Sequence, residues 1–159
     1  MSREVRRVPK DWQHPTYDNG RFIALHENYE SDVKSWDDEF AKWNSGIFPE
    51  YASDENKKLT YSEWNGERPK KDDYMPTFVE EDAKHLQMYE TCSEGTPISP
   101  VFKTPEELAE WLFENQASAF GSQTASYESW LRVANGGYAC SAIYKNGIIK
   151  SGVEGLSDA

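Results

Sequence analysis

Between residues 29 and 44 the apolar side chains recur at helical spacing. Tyr29, Val33, Trp36, Phe40 and Trp43 follow one another at steps of four, three, four and three, which places all five on one face. Asp32, Lys34, Asp37, Asp38 and Lys42 take the other positions, and Asn44-Ser45-Gly46 supplies a stop. The spacing predicts a helix over 29–44 whose Trp/Phe stripe packs into a core. Thr77-Phe78-Val79-Glu80 reads as a capping box, with Val79, Ala83 and Leu86 continuing the spacing, and predicts a helix over 78–90. Thr104-Pro105-Glu106-Glu107 is a stronger box, because proline suits the first helical position; its helix runs over 104–115 with Leu108, Trp111 and Leu112 inward. A fourth helix over 125–135 starts near Thr124 or Ser126, carries Trp130, Leu131 and Ala134, and stops at Asn135-Gly136-Gly137.

The period changes at the C-terminal end. Ala139 to Tyr144 and Ile148 to Val153 flank Asn146-Gly147, the preferred pair for a type I′ turn, and predict an antiparallel hairpin. At the other end Val5 and Val8 sit among charges as in an edge strand that Pro9 terminates. The expected fold is therefore α+β: one domain over 1–159, several helices packed on a small antiparallel sheet that includes the hairpin. Residues 47–76 keep no period. Tyr51, Leu59, Tyr61, Trp64, Tyr74 and Met75 read as staples of an irregular wrap containing short elements, since thirty structureless residues are rare in a compact domain.

Composition narrows the class. A chain of 159 residues has the length of one domain, and 14% aromatic residues, six of them Trp, argue against disorder. No run approaches the ~18 apolar residues of a membrane span, and no secretion signal is expected. The net charge is −11, unevenly spread: residues 1–10 carry four basic side chains against one acidic, a local +3, which leaves −14 on the rest. The basic segment is expected to dock on its own domain as a strand or arm. Direct nucleic-acid binding is disfavoured, because affinity for phosphates comes from Lys and Arg.

Common catalytic signatures are missing. No GxSxG, SxxK, P-loop or GxGxxG occurs, and His14, His26 and His85 lack metal-ligand spacing, so no metal or cofactor is expected. Cys92 stands beside Glu94, which disfavours a thiolate, and Cys140 lies in a predicted strand. Two polar loops are the better candidates. Residues 93–100 hold hydroxyls between prolines, residues 117–124 are small and uncharged, and each leads to a helix N-terminus, where unpaired N–H groups can receive an anion. A ligand pocket there would use Ser93, Thr96, Ser122 and Thr124, with Trp12 and His14 from the Trp12–Pro15 turn. Caps and turns are the plainer account of the same hydroxyls. The acidic cluster Asp37, Asp38 and Glu39 is the candidate partner-binding patch, beside its plainer account as a solvated face.

The segments Arg6-Arg7-Val8-Pro9, Trp12-Gln13-His14-Pro15, Thr91–Pro100, Thr104–Leu112, Thr124–Leu131 and Ser151–Gly155 together resemble a family of uncharacterised small phage- and prophage-encoded proteins. The resemblance covers nearly the whole chain, with Cys92 as a departure where the family has a non-thiol residue. It implies a protein of the host-cell cytoplasm that acts by binding a host protein, with counter-defence inhibition as the specific form, rather than by catalysis. The alternatives are a small-molecule or nucleotide-ligand binder or enzyme using the two polar loops, and a structural or virion-assembly protein.

Overall fold

A computed structural model describes residues 2–91 and 95–155. The elements run β1 (Ser2–Val8), α1 (Tyr29–Asn44), α2 (Tyr61–Asn65), β2 (His85–Thr91), β3 (Thr96–Pro97), α3 (Pro105–Glu114), α4 (Tyr127–Gly136), β4 (Tyr138–Ala139), β5 (Ala142–Lys145), β6 (Ile148–Ser151) and α5 (Gly152–Gly155), with 3-10 turns at Asn56–Lys58 and Lys71–Asp73. The architecture is the α+β one expected. The chain divides into two compact units, Leu25–Met75 and the remainder on either side of it.

In the larger unit an antiparallel sheet of order β3-β2-β1-β4 carries the core. β1 pairs with β2 from Ser2↔Thr91 to Val8↔His85, and with β4 through Arg3 and Glu4. The N-terminal strand is thus interior rather than an edge. Pro9 lies just past its last paired residue, where the missing N–H costs no ladder bond. The helix expected over 78–90 is a second correction: Val79 to Ala83 make only a turn, and His85–Thr91 is strand β2. Five of its seven residues, Leu86 to Glu90, are buried. A strand covered on both faces loses the alternation that marks one, and its short apolar run imitates a helix segment.

One face of this sheet, carrying Val5, Leu86 and Met88, meets Leu108, Ala109 and Leu112 of α3 and Trp130, Val133 and Ala134 of α4 in the main core. Both helices begin as their sequences dictate. Thr104 and Glu107 form a reciprocal capping box with Pro105 behind it, and Ser126 caps α4 by accepting from the Ser129 N–H. Gly137 ends α4 at φ 82°, a left-handed conformation that favours glycine. The hairpin stands apart as its own two-stranded sheet of β5 and β6. Asn146 and Gly147 both have positive φ, 53° and 81°, as a type I′ turn requires.

The smaller unit gathers aromatic rings around α1. Trp43 is buried, stacks on Trp64 at 5.3 Å and meets Phe48 and Tyr61 edge-on or tilted. The predicted stripe is therefore real but only partly a core: Trp43 alone is buried, Trp36 is half-buried, and Phe40 is 41% exposed. So small a unit has too little interior to cover five large side chains. The irregular segment supplies α2, opened by a Thr60/Glu63 capping box, and both 3-10 turns.

Candidate functional site

β1 and β2 alternate side chains across the sheet, so directly opposed residues share a face. Glu4, Arg6 and Val8 of β1 stand with Tyr89, Gln87 and His85 of β2 on the face opposite the main core. The turn-rich segment after Pro9 brings Trp12 and His14 onto it. Both converge on the Tyr89 hydroxyl: Trp12 Nε1 donates to it at 3.1 Å, and His14 Nδ1 lies 2.9 Å from it. His14 Nε2 is 2.6 Å from the Ile23 carbonyl, which can only accept, so Nε2 carries a proton. Tyr89 Oη is also 3.1 Å from Gln87 Oε1, while Gln87 Nε2 donates to the Ser99 carbonyl at 2.8 Å. Arg6 is buried with its guanidinium 4.3 Å from the centre of the Tyr89 ring.

This network has one hydroxyl proton and two acceptors for it. With His14 neutral, Tyr89 donates either to Nδ1 or to Gln87; with His14 charged, Nδ1 donates and the Tyr89 proton must face Gln87. Burial is the main cause that lowers the His14 pKa; the Ile23 hydrogen bond opposes it and the Arg6 charge adds to it. Neutral His14 is the form this site favours at neutral pH.

Beside the network, Phe22, Gln87, Pro97, Ile98, Ser99, Pro100 and Trp111 line an open cleft of about 390 Å³. The Ser99 hydroxyl accepts from Met88 N and donates to the Pro100 carbonyl, which fixes the cleft's proline-bordered wall on β2. Trp12 and His14 are thus brought together, and the loop ending at Pro100 shapes this cleft. Thr96 does not line it and pairs with Glu90 in the ladder. Ser93 and Cys92 lie outside the described residues. Ser122 and Thr124 do not join the cleft either; both are exposed on a loop fastened elsewhere. Arg3, 2% exposed, donates to the Ser118 carbonyl and hydroxyl, and Gln123 Oε1 accepts from Ser151 N at the root of the hairpin. The basic N-terminal strand thus docks on its own unit, with Arg3 and Arg6 buried.

In the smaller unit the acidic cluster is matched by cations. Asp37 receives two hydrogen bonds of 2.9 Å from Arg68, Asp38 pairs with Lys34, and Glu39 pairs with Lys42. The hydrogen bonds from Arg68 hold the Asp37 carboxyl below the usual carboxylate range. Three paired carboxylates present less bare charge than the sequence alone implies. Among the described residues no group of three or more His, Cys, Asp or Glu could hold a metal ion, and no helix is long and apolar enough to cross a membrane.

The hairpin presents a surface that sequence reading placed but did not single out. Tyr144, Ile148 and Ile149 are 73%, 59% and 58% exposed. Ala142 and Tyr144 share one face with Ser151 and Ile149; Ile143 and Lys145 share the other with Lys150 and Ile148. The second face opens a groove of about 240 Å³ that also reaches Asn146 and Gly155. Gly155 approaches this face closely: a Cβ there would come within 2.7 Å of Ile143 Cδ1, so the isoleucine would have to shift. The signal was available in the sequence: isoleucine and lysine alternate on both sides of a turn whose type fixes the register.

No family model matches this chain, and neither a curated protein nor a solved structure is significantly similar to it.

Proposed function

We propose that this chain acts by binding a protein, as a phage-encoded accessory protein directed at a host protein in the host cytoplasm, with inhibition of a defence enzyme as its specific form. The observation that carries the reading is a hairpin exposed on both faces, with Tyr144, Ile148 and Ile149 each more than half exposed on strands that pair with no third strand among the described residues. Large apolar side chains in such a place contribute little to folding, whereas aromatic and aliphatic anchors carry much of the energy of protein interfaces. Open strand edges are also an aggregation hazard that a partner removes by covering them. The resemblance of the Arg6–Pro9, Trp12–Pro15 and Thr104–Leu112 segments to phage proteins supplies the biological setting.

Photocrosslinking in phage-infected cells tests the reading. A benzophenone side chain placed at Tyr144 is expected to label one host protein, one at the exposed Glu110 is not, and Ile149→Ser is expected to remove the labelling. No labelling from position 144, or equal labelling from both positions, overturns it.

A second reading, a small ligand in the cleft beside Gln87, is favoured by the aromatic side chains of Phe22 and Trp111 on its walls. Its mark would be a ligand-dependent change in Trp fluorescence that Trp111→Phe abolishes.

A further inference from the structure

We infer that the cleft beside Gln87 takes a neutral, flat heterocycle that presents an amide edge, a ring N–H next to a carbonyl. This rests on the small-ligand reading above and names the chemistry of the ligand; it does not depend on the hairpin. Gln87 is the side chain that selects such a ligand. It stands on the cleft wall and is only 6% exposed. The Ser99 carbonyl can only accept, so the amide nitrogen of Gln87 must face it, which fixes the amide's orientation. A primary amide has two N–H groups and two lone pairs on its oxygen. Gln87 spends one N–H on the Ser99 carbonyl and at most one lone pair on the Tyr89 hydroxyl. One donor and one acceptor are therefore left without a partner among the described residues. Buried polar groups are rarely left so, and a ligand with an N–H beside a C=O answers both.

The rest of the lining sets the ligand's shape and charge. Phe22 and Trp111 bring aromatic rings, against which a flat ring buries much of its surface. None of the described residues lining the cleft is charged, although 28% of the chain is. Arg6, across from Gln87 on β1, has its guanidinium over the Tyr89 ring and beside Glu4. Pro97 and Pro100 offer no N–H, and the Ile98 N–H is taken by the Met88 carbonyl. A phosphate or carboxylate thus finds few donors on these walls and is disfavoured. A peptide strand added beside β3, at the edge of the sheet, finds no N–H at Pro97 either. A volume of about 390 Å³ lies toward the small end of ligand pockets and suits a heterocycle rather than a larger molecule.

The test is calorimetry of the whole chain with inosine, whose base carries this edge, and with purine riboside, which lacks both the carbonyl and the ring N–H. Inosine is expected to bind about tenfold more tightly, as loss of both hydrogen bonds implies. Inosine monophosphate should bind no more tightly than inosine. Gln87→Leu, and Phe22→Ser at a side chain 45% exposed, should each weaken inosine binding about tenfold. Circular dichroism checks both folds; if Gln87→Leu does not fold, Phe22→Ser and the purine riboside comparison decide together. No binding of inosine, binding that survives the substitutions, or tighter binding of the monophosphate overturns the inference. Purine riboside binding as tightly as inosine also overturns it, and leaves the small-ligand reading standing. That reading falls separately if no member of a collection of small neutral fragments changes the Trp fluorescence in a Trp111-dependent way.

Discussion

The four-stranded sheet and the hairpin are built from the same antiparallel pairing, yet they hold their residues in opposite ways. In the sheet even charged side chains are covered: Arg3, Arg6 and Glu90 are each under 5% exposed. In the hairpin apolar side chains such as Ile148 and Ile149 stand mostly in water. Burial of arginine costs desolvation, and the sheet offsets it with Ser118 acceptors for Arg3 and the Tyr89 ring for Arg6. The hairpin offers its isoleucines no comparable cover. The sheet gathers the buried contacts of its unit, and the hairpin is a surface whose apolar groups are largely uncovered.

The largest effect that could break this contrast is in the core. Leu108 is fully buried among residues of α3, α4 and β2. Leu108→Ala should lower unfolding stability by about 2–5 kcal/mol, read from denaturant melts. A loss below ~0.5 kcal/mol would mean that the helices do not depend on the sheet. Tyr89→Phe comes next. It leaves the ring against Arg6 but removes the hydroxyl shared by the Trp12 N–H and His14 Nδ1, so about 1–3 kcal/mol should be lost through polar groups left unsatisfied. Full stability in that variant would show that water replaces the hydroxyl.

Local chemistry explains which of these parts could be read from the sequence. Asn146-Gly147 and the Thr104 capping box act within four residues, and both formed where expected. α1 was equally legible, because sixteen residues sustain its period; how exposed Phe40 would be was not, since that depends on how much chain folds over it. β2 failed because burial on both faces erased its alternation. Trp12 and His14 were visible as candidates, but their meeting point was not, since Tyr89 lies 75 residues beyond His14. Arg3 and Arg6 announced a docking segment by charge; nothing local revealed that the strand would be interior.

A smaller effect follows from His14. Its pKa is below the ordinary 6.5 in the folded protein, chiefly through burial, and near 6.5 when unfolded. Above 6.5 both states are neutral there and the contribution to stability is complete. As pH falls below 6.5 the unfolded chain takes up the proton first, so stability declines until the lower folded pKa is passed. Acidification also reduces self-repulsion in a chain of net charge −11, so the informative quantity is the difference between wild type and His14→Gln. Across pH 8 to 5 the wild type should lose stability relative to the variant. A constant difference would show that His14 titrates alike in both states.

The smallest effect is expected where the contrast is sharpest. Ile148→Ser and Ile149→Ser remove apolar side chains already 59% and 58% exposed, on opposite faces of the hairpin. Little burial is lost, and the Asn146-Gly147 turn and the four-pair register persist. Each substitution should therefore change stability by less than about 0.5 kcal/mol, with some gain in solubility from the smaller apolar surface. The same substitutions should impair capture of the partner, Ile149 through the face it shares with Tyr144 and Ile148 through the face it shares with Lys145. Calorimetry separates the two roles, because a binding anchor lowers affinity with an unchanged unfolding temperature. A drop of several degrees on Ile149→Ser would instead place that side chain among the groups holding the hairpin to its own unit, and the contrast between sheet and hairpin would lose its basis.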